Sequence, residues 1–186
     1  MGPLKILEIA GSLRKDSYNR QLLWVADEIA QELGASTSEI DLKQLALPMY
    51  DADVEARGLP ESVMKLKDAI EGADLLLIAS PEYNYSVSGA LKNALDWASR
   101  GKNSLDGKVV AIFGASTSIM GTVRGQAHLR DILEALNAIV LPQPGVFIRS
   151  ARDAFDENGS LKDPMSAQLL RDLIQRAMAL ADKVRA

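Results

Sequence analysis

Residues 4–19 read LKILEIAGSLRKDSYN, and the succession of residue types in this stretch decides the fold. Residues 4–10 are mostly aliphatic, the pattern of a strand covered on both faces within a parallel sheet. Gly11-Ser12 closes that strand. A helical period then takes over, with Leu22, Ala26, Ile29, Ala30 and Leu33 recurring on one face and Gly34 standing where a C-terminal cap belongs. A buried strand that runs through a short polar loop into an amphipathic helix is the opening half of a βαβ unit.

The same alternation continues outward. Residues 36–42 alternate polar Thr37, Glu39 and Asp41 with less polar Ser38, Ile40 and Leu42, which predicts a half-exposed strand at a sheet edge. Residues 43–60 carry Pro48, Gly58 and Pro60 and read as a long loop, and loops of that length in compact domains are often functional. Pro60 opens a short helix with Val63, Leu66 and Ile70 on one face. Residues 73–80 form an apolar central strand, and 88–99 a helix with Leu91, Ala94, Leu95 and Ala98 inward. Residues 108–115 give another buried strand, 123–137 another helix, and 138–141 a short fifth strand before Pro142. The last helix covers 164–184.

Five strands alternating with five helices, without repeat or linker, predict a single α/β domain over residues 1–186, its parallel strands joined by right-handed crossovers. With the second strand at an edge and the first, third and fourth buried, the doubly wound order 2-1-3-4-5 fits better than the classic dinucleotide-binding order, with helices on both faces. Ligands of such sheets bind beyond the carboxyl ends of the strands, where strands one and three diverge. That rule points to the loops after Ala10, Ser80 and Ala115.

Composition narrows the chemistry. A chain of 186 residues, 47% hydrophobic and 25% charged, has enough apolar surface for one core. Its net charge of −4 argues against a nucleic-acid footprint. The absence of cysteine removes disulfides, thiolate nucleophiles, Fe–S clusters and thiolate zinc sites. A lone histidine, His128, falls within a helical pattern and reads as a packed or surface residue. No stretch approaches the roughly 18 apolar residues of a membrane span, and residues 1–10 are too short and charged for a signal peptide, so the expected compartment is the cytoplasm. Any redox chemistry here requires a borrowed cofactor.

The first loop, 11–19, runs into a helix whose N-terminal N–H groups and partial positive charge form a natural phosphate seat. Ser12, Ser17 and Asn19 add donors, and Arg14 can fork onto phosphate oxygens. The competing reading is that Ser17 or Asp16 merely caps the helix. Leu13 and Asp16 occupy positions where a dinucleotide fingerprint needs glycine, and no Walker A lysine pair is present, so a phosphate monoester fits better than a pyrophosphate. The second loop, SPEYNYSVSG from Ser80 to Gly89, offers a proline-fixed exit, peptide N–H groups, Tyr83 and Tyr85 for aromatic contact, and Asn84. It reads equally well as a plain strand-to-helix turn. The third, 115–122, is small and hydroxyl-rich.

Taken together, Ser12-Leu13-Arg14-x-x-Ser17-x-Asn19, Pro81-Glu82-Tyr83-Asn84 and Leu91-Lys92-Asn93-Ala94-Leu95-Asp96-Trp97 resemble the NAD(P)H-dependent FMN reductase family, nearest its bacterial quinone and chromate reductase branch. The resemblance spans residues 4 to 150 and implies a flavodoxin-like fold, bound FMN, and NADPH or NADH as co-substrate. It further implies ping-pong hydride transfer through flavin N5 to quinones, chromate or other oxidants, and a homodimer or homotetramer with flavins near the subunit interface. By position, Ser12, Arg14, Ser17 and Asn19 would hold the phosphate. Pro81, Glu82, Tyr83 and Asn84 would line the isoalloxazine, with Ser116 contacting it from the third loop. The stretch Leu47-Pro48-Met49-Tyr50-Asp51-x-Asp53 matches a family loop that reaches toward the neighbouring subunit's site. Ser88 stands where many members have proline, a departure that bears on loop stiffness, and residues after 150 match poorly.

Because the chemistry sits on the flavin, no side chain is assigned as catalytic. Arg100 and Arg124 are candidates for nicotinamide phosphates or anionic acceptors, against the reading of each as an exposed or interface charge. A flavodoxin-type electron carrier shares this fold and cofactor, and it would not oxidise NADPH by itself. A phosphoryl receiver domain shares the topology, but it needs aspartates where Gly11-Ser12 and Ser80-Pro81 stand.

Overall fold

The computed structural model describes residues 2–185. In chain order the elements are β1 (Lys5–Ala10), α1 (Tyr18–Glu32), β2 (Ser36–Ile40), α2 (Leu42–Leu45), α3 (Ala52–Glu55), α4 (Glu61–Gly72), β3 (Leu75–Ala79), α5 (Gly89–Ala98), β4 (Val109–Ala115), α6 (Val123–Ala135), β5 (Ile139–Val140), β6 (Val146–Ile148) and α7 (Pro164–Val184). The sheet is parallel in the order β2-β1-β3-β4-β5, which is the predicted flavodoxin-like arrangement.

Alternation along the central strands divides their side chains between two cores. Leu75, Leu77 and Ala79 of β3, with Val109, Ala111 and Phe113 of β4, pack against Leu22, Leu23 and Ala26 of α1 and Leu170, Leu173 and Ile174 of α7. Leu76 and Ile78, with Val110 and Ile112, face Leu66 and Ile70 of α4, Leu91 and Leu95 of α5, and Leu129 and Leu133 of α6. A strand buried on both sides must be apolar at every position, which is why β3 and β4 read as continuous hydrophobic runs. By contrast, β2 stays largely exposed at its edge, and its alternating sequence follows from that.

Three expectations are corrected. The predicted fifth strand is two pieces: β5 pairs with Val109 and Val110, and β6 pairs with Phe113, Gly114 and Ala115 further along the same edge. Pro142 and Pro144, the latter after a cis peptide from Gln143, lie between them and have no N–H for the ladder. Leu42 belongs to the short helix α2, which Asp41 caps by accepting from the Lys43 and Gln44 N–H groups. The stretch 43–60 is therefore no plain loop, since it also holds α3, capped by Asp51. Among the described residues no helix is long and apolar enough to cross a membrane.

Candidate functional site

At the carboxyl ends of β1, β3 and β4 the three predicted loops converge on one open cleft of about 280 Å³. Its walls include Ser12, Arg14, Ser17, Asn19, Pro81, Glu82, Tyr83 and Ser116. Eight of the nine residues assigned to the cofactor from sequence thus meet at one place. The ninth, Asn84, stands just outside in the same loop. Two larger depressions lie elsewhere: about 650 Å³ beside the β2 edge, and about 600 Å³ between β6 and the start of α7. The smaller cleft alone occupies the divergence of β1 and β3, where the sheet geometry places a ligand.

The first loop is shaped by its own side chains. Ser17 has extended backbone and caps α1, its Oγ accepting from the N–H groups of Asn19 at 3.2 Å and Arg20 at 3.4 Å. Asn19, buried, locks onto the end of β4: Nδ2 donates to the Ala115 carbonyl and Oδ1 accepts from the Ala115 N–H, both at 2.9 Å. Ser17 Oγ only accepts in these bonds and keeps its O–H to donate, and Asn19 Nδ2 keeps a second N–H, so neither residue is used up by holding the loop. The backbone adds further donors. Among the described residues the N–H groups of Leu13, Lys15, Asp16 and Tyr18 make no backbone or side-chain hydrogen bond. Arg14 lies over the Tyr18 ring, 5.1 Å from its centroid, and also donates to the Asp16 carbonyl. Tyr18, which the sequence reading passed over, lines the cleft and stacks on Phe155 at 6.4 Å. Its only sequence signal was its place inside the Ser17-x-Asn19 motif.

The second loop is a tight two-residue hairpin. Tyr83 and Ser86 exchange backbone hydrogen bonds at 2.9 and 3.0 Å around Asn84 and Tyr85, whose φ angles are +50° and +65°. Two successive left-handed residues, neither of them glycine, are a strained choice that surrounding contacts must maintain. Ser12 Oγ and the Tyr83 hydroxyl lie 3.3 Å apart and join the first loop to the second. Ser88, the residue standing in place of proline, makes a second joint: its Oγ donates to the Gly11 carbonyl and accepts from the Leu91 N–H as the cap of α5. Gly11 permits this approach, because a Cβ there would sit 3.0 Å from the Pro81 ring. In the third loop the Ser116 hydroxyl accepts from the Ser118 N–H at 3.1 Å, while its backbone is stitched to Ile148 and Ala151.

The two arginine candidates separate. Arg124, in the first turn of α6, lies over the Tyr85 ring at 4.2 Å, beside the second loop. Arg100 follows the far end of α5, a ten-residue helix that starts next to Gly11 and so carries it about 15 Å away. There its guanidinium covers Tyr50 at 5.2 Å and donates to the Asp96 carbonyl and Ser99 Oγ. Arg100 is thus at the amino end of the sheet and does not belong to the cleft. The stretch 47–53 folds onto the same helix: the Pro48 carbonyl accepts from Asn93 Nδ2 and Trp97 Nε1, and the Tyr50 ring meets Trp97 edge-on at 5.0 Å. His128 is exposed, as expected, yet its Nδ1 lies 3.0 Å from Ser86 Oγ in the hairpin.

Comparison with known proteins identifies the family that the loop motifs resemble. The family model described as NADPH-dependent FMN reductase matches residues 4–153. An NAD(P)H-dependent FMN reductase of Pseudomonas aeruginosa is 43% identical over 173 residues, 92% of each chain. A 2-hydroxy-1,4-benzoquinone reductase of a Burkholderia species is 38% identical over 179 residues, 95% of each. Among solved structures, FerB, a flavoenzyme NAD(P)H:(acceptor) oxidoreductase from Paracoccus denitrificans, matches with a TM-score of 0.87 at 34% identity, covering 97% of this chain and 98% of that one. The last helix, poorly matched by motif, is therefore part of the shared architecture.

Proposed function

The chain belongs to the NADPH-dependent FMN reductase family, and on that premise we propose that its cleft seats the FMN phosphate and that the protein passes electrons from NADPH or NADH to quinones. Its cofactor is FMN and its reductant a nicotinamide nucleotide. The supporting observation is the set of unpartnered N–H groups at Leu13, Lys15, Asp16 and Tyr18, beside Arg14 and at the start of α1. A helix start and a concave run of N–H groups stabilise a dianionic monoester through fixed dipoles, and a guanidinium adds a charged hydrogen bond. The Glu82 carboxylate, on the cleft wall, is turned to α6, where it accepts from the Gly125 N–H at 2.8 Å.

When bound, FMN would supply two-electron hydride chemistry at N5 between the nicotinamide and the acceptor, in the ping-pong order we propose. The chain's own contribution is placement. Asn19 fixes the floor against β4, Ser12 and Ser88 tie the first loop to the second, and Pro81 with the hairpin forms the wall on which the ring system rests. Tyr83 and Tyr85, half or more exposed, give an incoming quinone an aromatic surface. A reduced flavin donates to many oxidants, so chromate is an expected second acceptor. We assign the protein to the cytoplasm and to a homodimer or homotetramer, with the exposed Met49 of the 47–53 stretch directed to a neighbouring copy.

Stopped-flow reduction of the FMN-loaded protein by NADPH and by NADH, followed by reoxidation with a quinone panel, tests this function. Fast bleaching by a nicotinamide and fast recovery with quinone are expected. Bound flavin that neither nicotinamide reduces would make the chain an electron carrier of the flavodoxin type. Sedimentation of the loaded protein gives the number of copies.

A further inference from the structure

The start of α6 lacks a cap of its own. Thr122 occupies the capping position but, with non-extended backbone, makes no side-chain hydrogen bond to the helix N–H groups, and its Oγ1 accepts from Gln126 Nε2 at 2.8 Å. The orphan N–H of Gly125 is instead satisfied from another part of the chain, by Glu82 Oε2 at 2.8 Å. A carboxylate at a helix N-terminus adds the attraction of the helix dipole to a charged hydrogen bond. Gly125 is fitted to this contact, since a Cβ there would lie 3.2 Å from both Glu82 Cβ and the Ser86 carbonyl oxygen. Two more groups from the same two turns reach the hairpin, Arg124 over Tyr85 and His128 on Ser86.

We propose that Glu82 is a positioning residue whose carboxylate, by capping α6 at Gly125, clamps the strained hairpin 83–86 in the shape that receives the flavin ring. This rests on the reading of the cleft as an FMN site. The backbone of Asn84 and Tyr85 is held in a conformation that L residues rarely adopt, and the Tyr83–Ser86 pair of hydrogen bonds closes the turn without fixing where it sits against the sheet. That placement comes from outside, through α6. Glu82 therefore acts on the ligand indirectly, by the shape of the loop that follows it.

The test compares Glu82→Gln, Glu82→Ala and Gly125→Ala with the unaltered chain, using FMN titration by fluorescence quenching, visible circular dichroism of bound flavin, and amide hydrogen exchange of residues 83–86 in FMN-free protein. Glu82→Ala is expected to weaken FMN about tenfold, in line with loss of a charged hydrogen bond. It should also alter the visible dichroism and speed exchange at 83–86 more than in β3 or β4. Glu82→Gln keeps an acceptor and is expected to stay within about threefold of the parent, while Gly125→Ala should resemble Glu82→Ala with the carboxylate intact. Unchanged FMN affinity and exchange in Glu82→Ala would overturn the clamp, as would exchange that rises equally across the sheet. If the unaltered chain takes up no FMN, the cofactor reading fails, and exchange at 83–86 in the FMN-free variants still decides the clamp.

Discussion

At the amino end of the sheet, Lys67 of α4 places its ammonium against the carbonyls of Ala98, Arg100 and Lys102, at 3.0, 2.9 and 2.7 Å, closing the end of α5. Lys108 does the same for α4 through the carbonyls of Glu71 and Ala73 at 2.9 and 2.7 Å. Burial pushes both lysines below the ordinary lysine range. At the carboxyl end the polar residues are differently employed: Ser17 and Asn19 bond to backbone, yet several N–H groups beside them stay open. Cations at helix C-termini saturate carbonyls and leave nothing to bind. Donors at a helix N-terminus that face a cleft await an anion. On the proposed function, one end of the sheet is devoted to stability and the other to a ligand, although both look merely polar in sequence.

Lys67→Met should break the stabilising end alone. Three helix-end carbonyls lose their common donor, and unfolding free energy is expected to fall by about 2–4 kcal/mol, with FMN affinity of the folded protein unchanged. Denaturant melts and flavin titration on the same preparation measure both. Arg14→Ala is the converse. It should weaken FMN by about 1.5–3 kcal/mol, read from the dissociation constant, while the melt of FMN-free protein moves little.

Glu8 lies between the two ends, buried in β1, with Oε1 among the buried atoms that lack a partner. Burial, with Asp27 and Glu39 nearby, pushes its carboxyl up from 4.5 to about 8. Below pH 4.5 folded and unfolded chains both carry this proton. Between 4.5 and 8 only the folded chain keeps it, so its contribution to stability falls as the pH rises through that window. Glu8→Gln cannot ionise. It is expected to melt like the parent near pH 4.5 and to be more stable by about 2 kcal/mol near pH 6, as measured by melts across that range. The smallest effect is expected of Arg100→Ala: a change in KM for NADPH below about twofold, because this arginine belongs to the stabilising end. A tenfold rise would return Arg100 to the cofactor side and blur the distinction between the two ends.

The order of strands and the location of the cleft were legible in residues 4–19, 73–80 and 108–115. Burial on both faces demands uninterrupted apolar runs, and the edge strand 36–40 shows its exposure as alternation. The convergence of Ser12, Arg14, Ser17, Pro81 and Ser116 followed from that topology, since parallel strands deliver all their following loops to one end. The division of labour among those residues was not legible. Whether Asn19 faces a ligand or Ala115, whether Glu82 faces the ring or α6, and at which end of the sheet Arg100 sits all depend on contacts 43 to 96 positions apart or on a helix's full length. The split of the fifth strand around Pro142 and Pro144 likewise appears only when β6 finds the far half of β4. Local sequence, through periodicity and loop chemistry, determined the fold and the place of the site. Tertiary structure alone decided which donors are consumed in holding the loops and which are left free, because a hydrogen bond's partner is set by distance in space and leaves no trace in the spacing of residues.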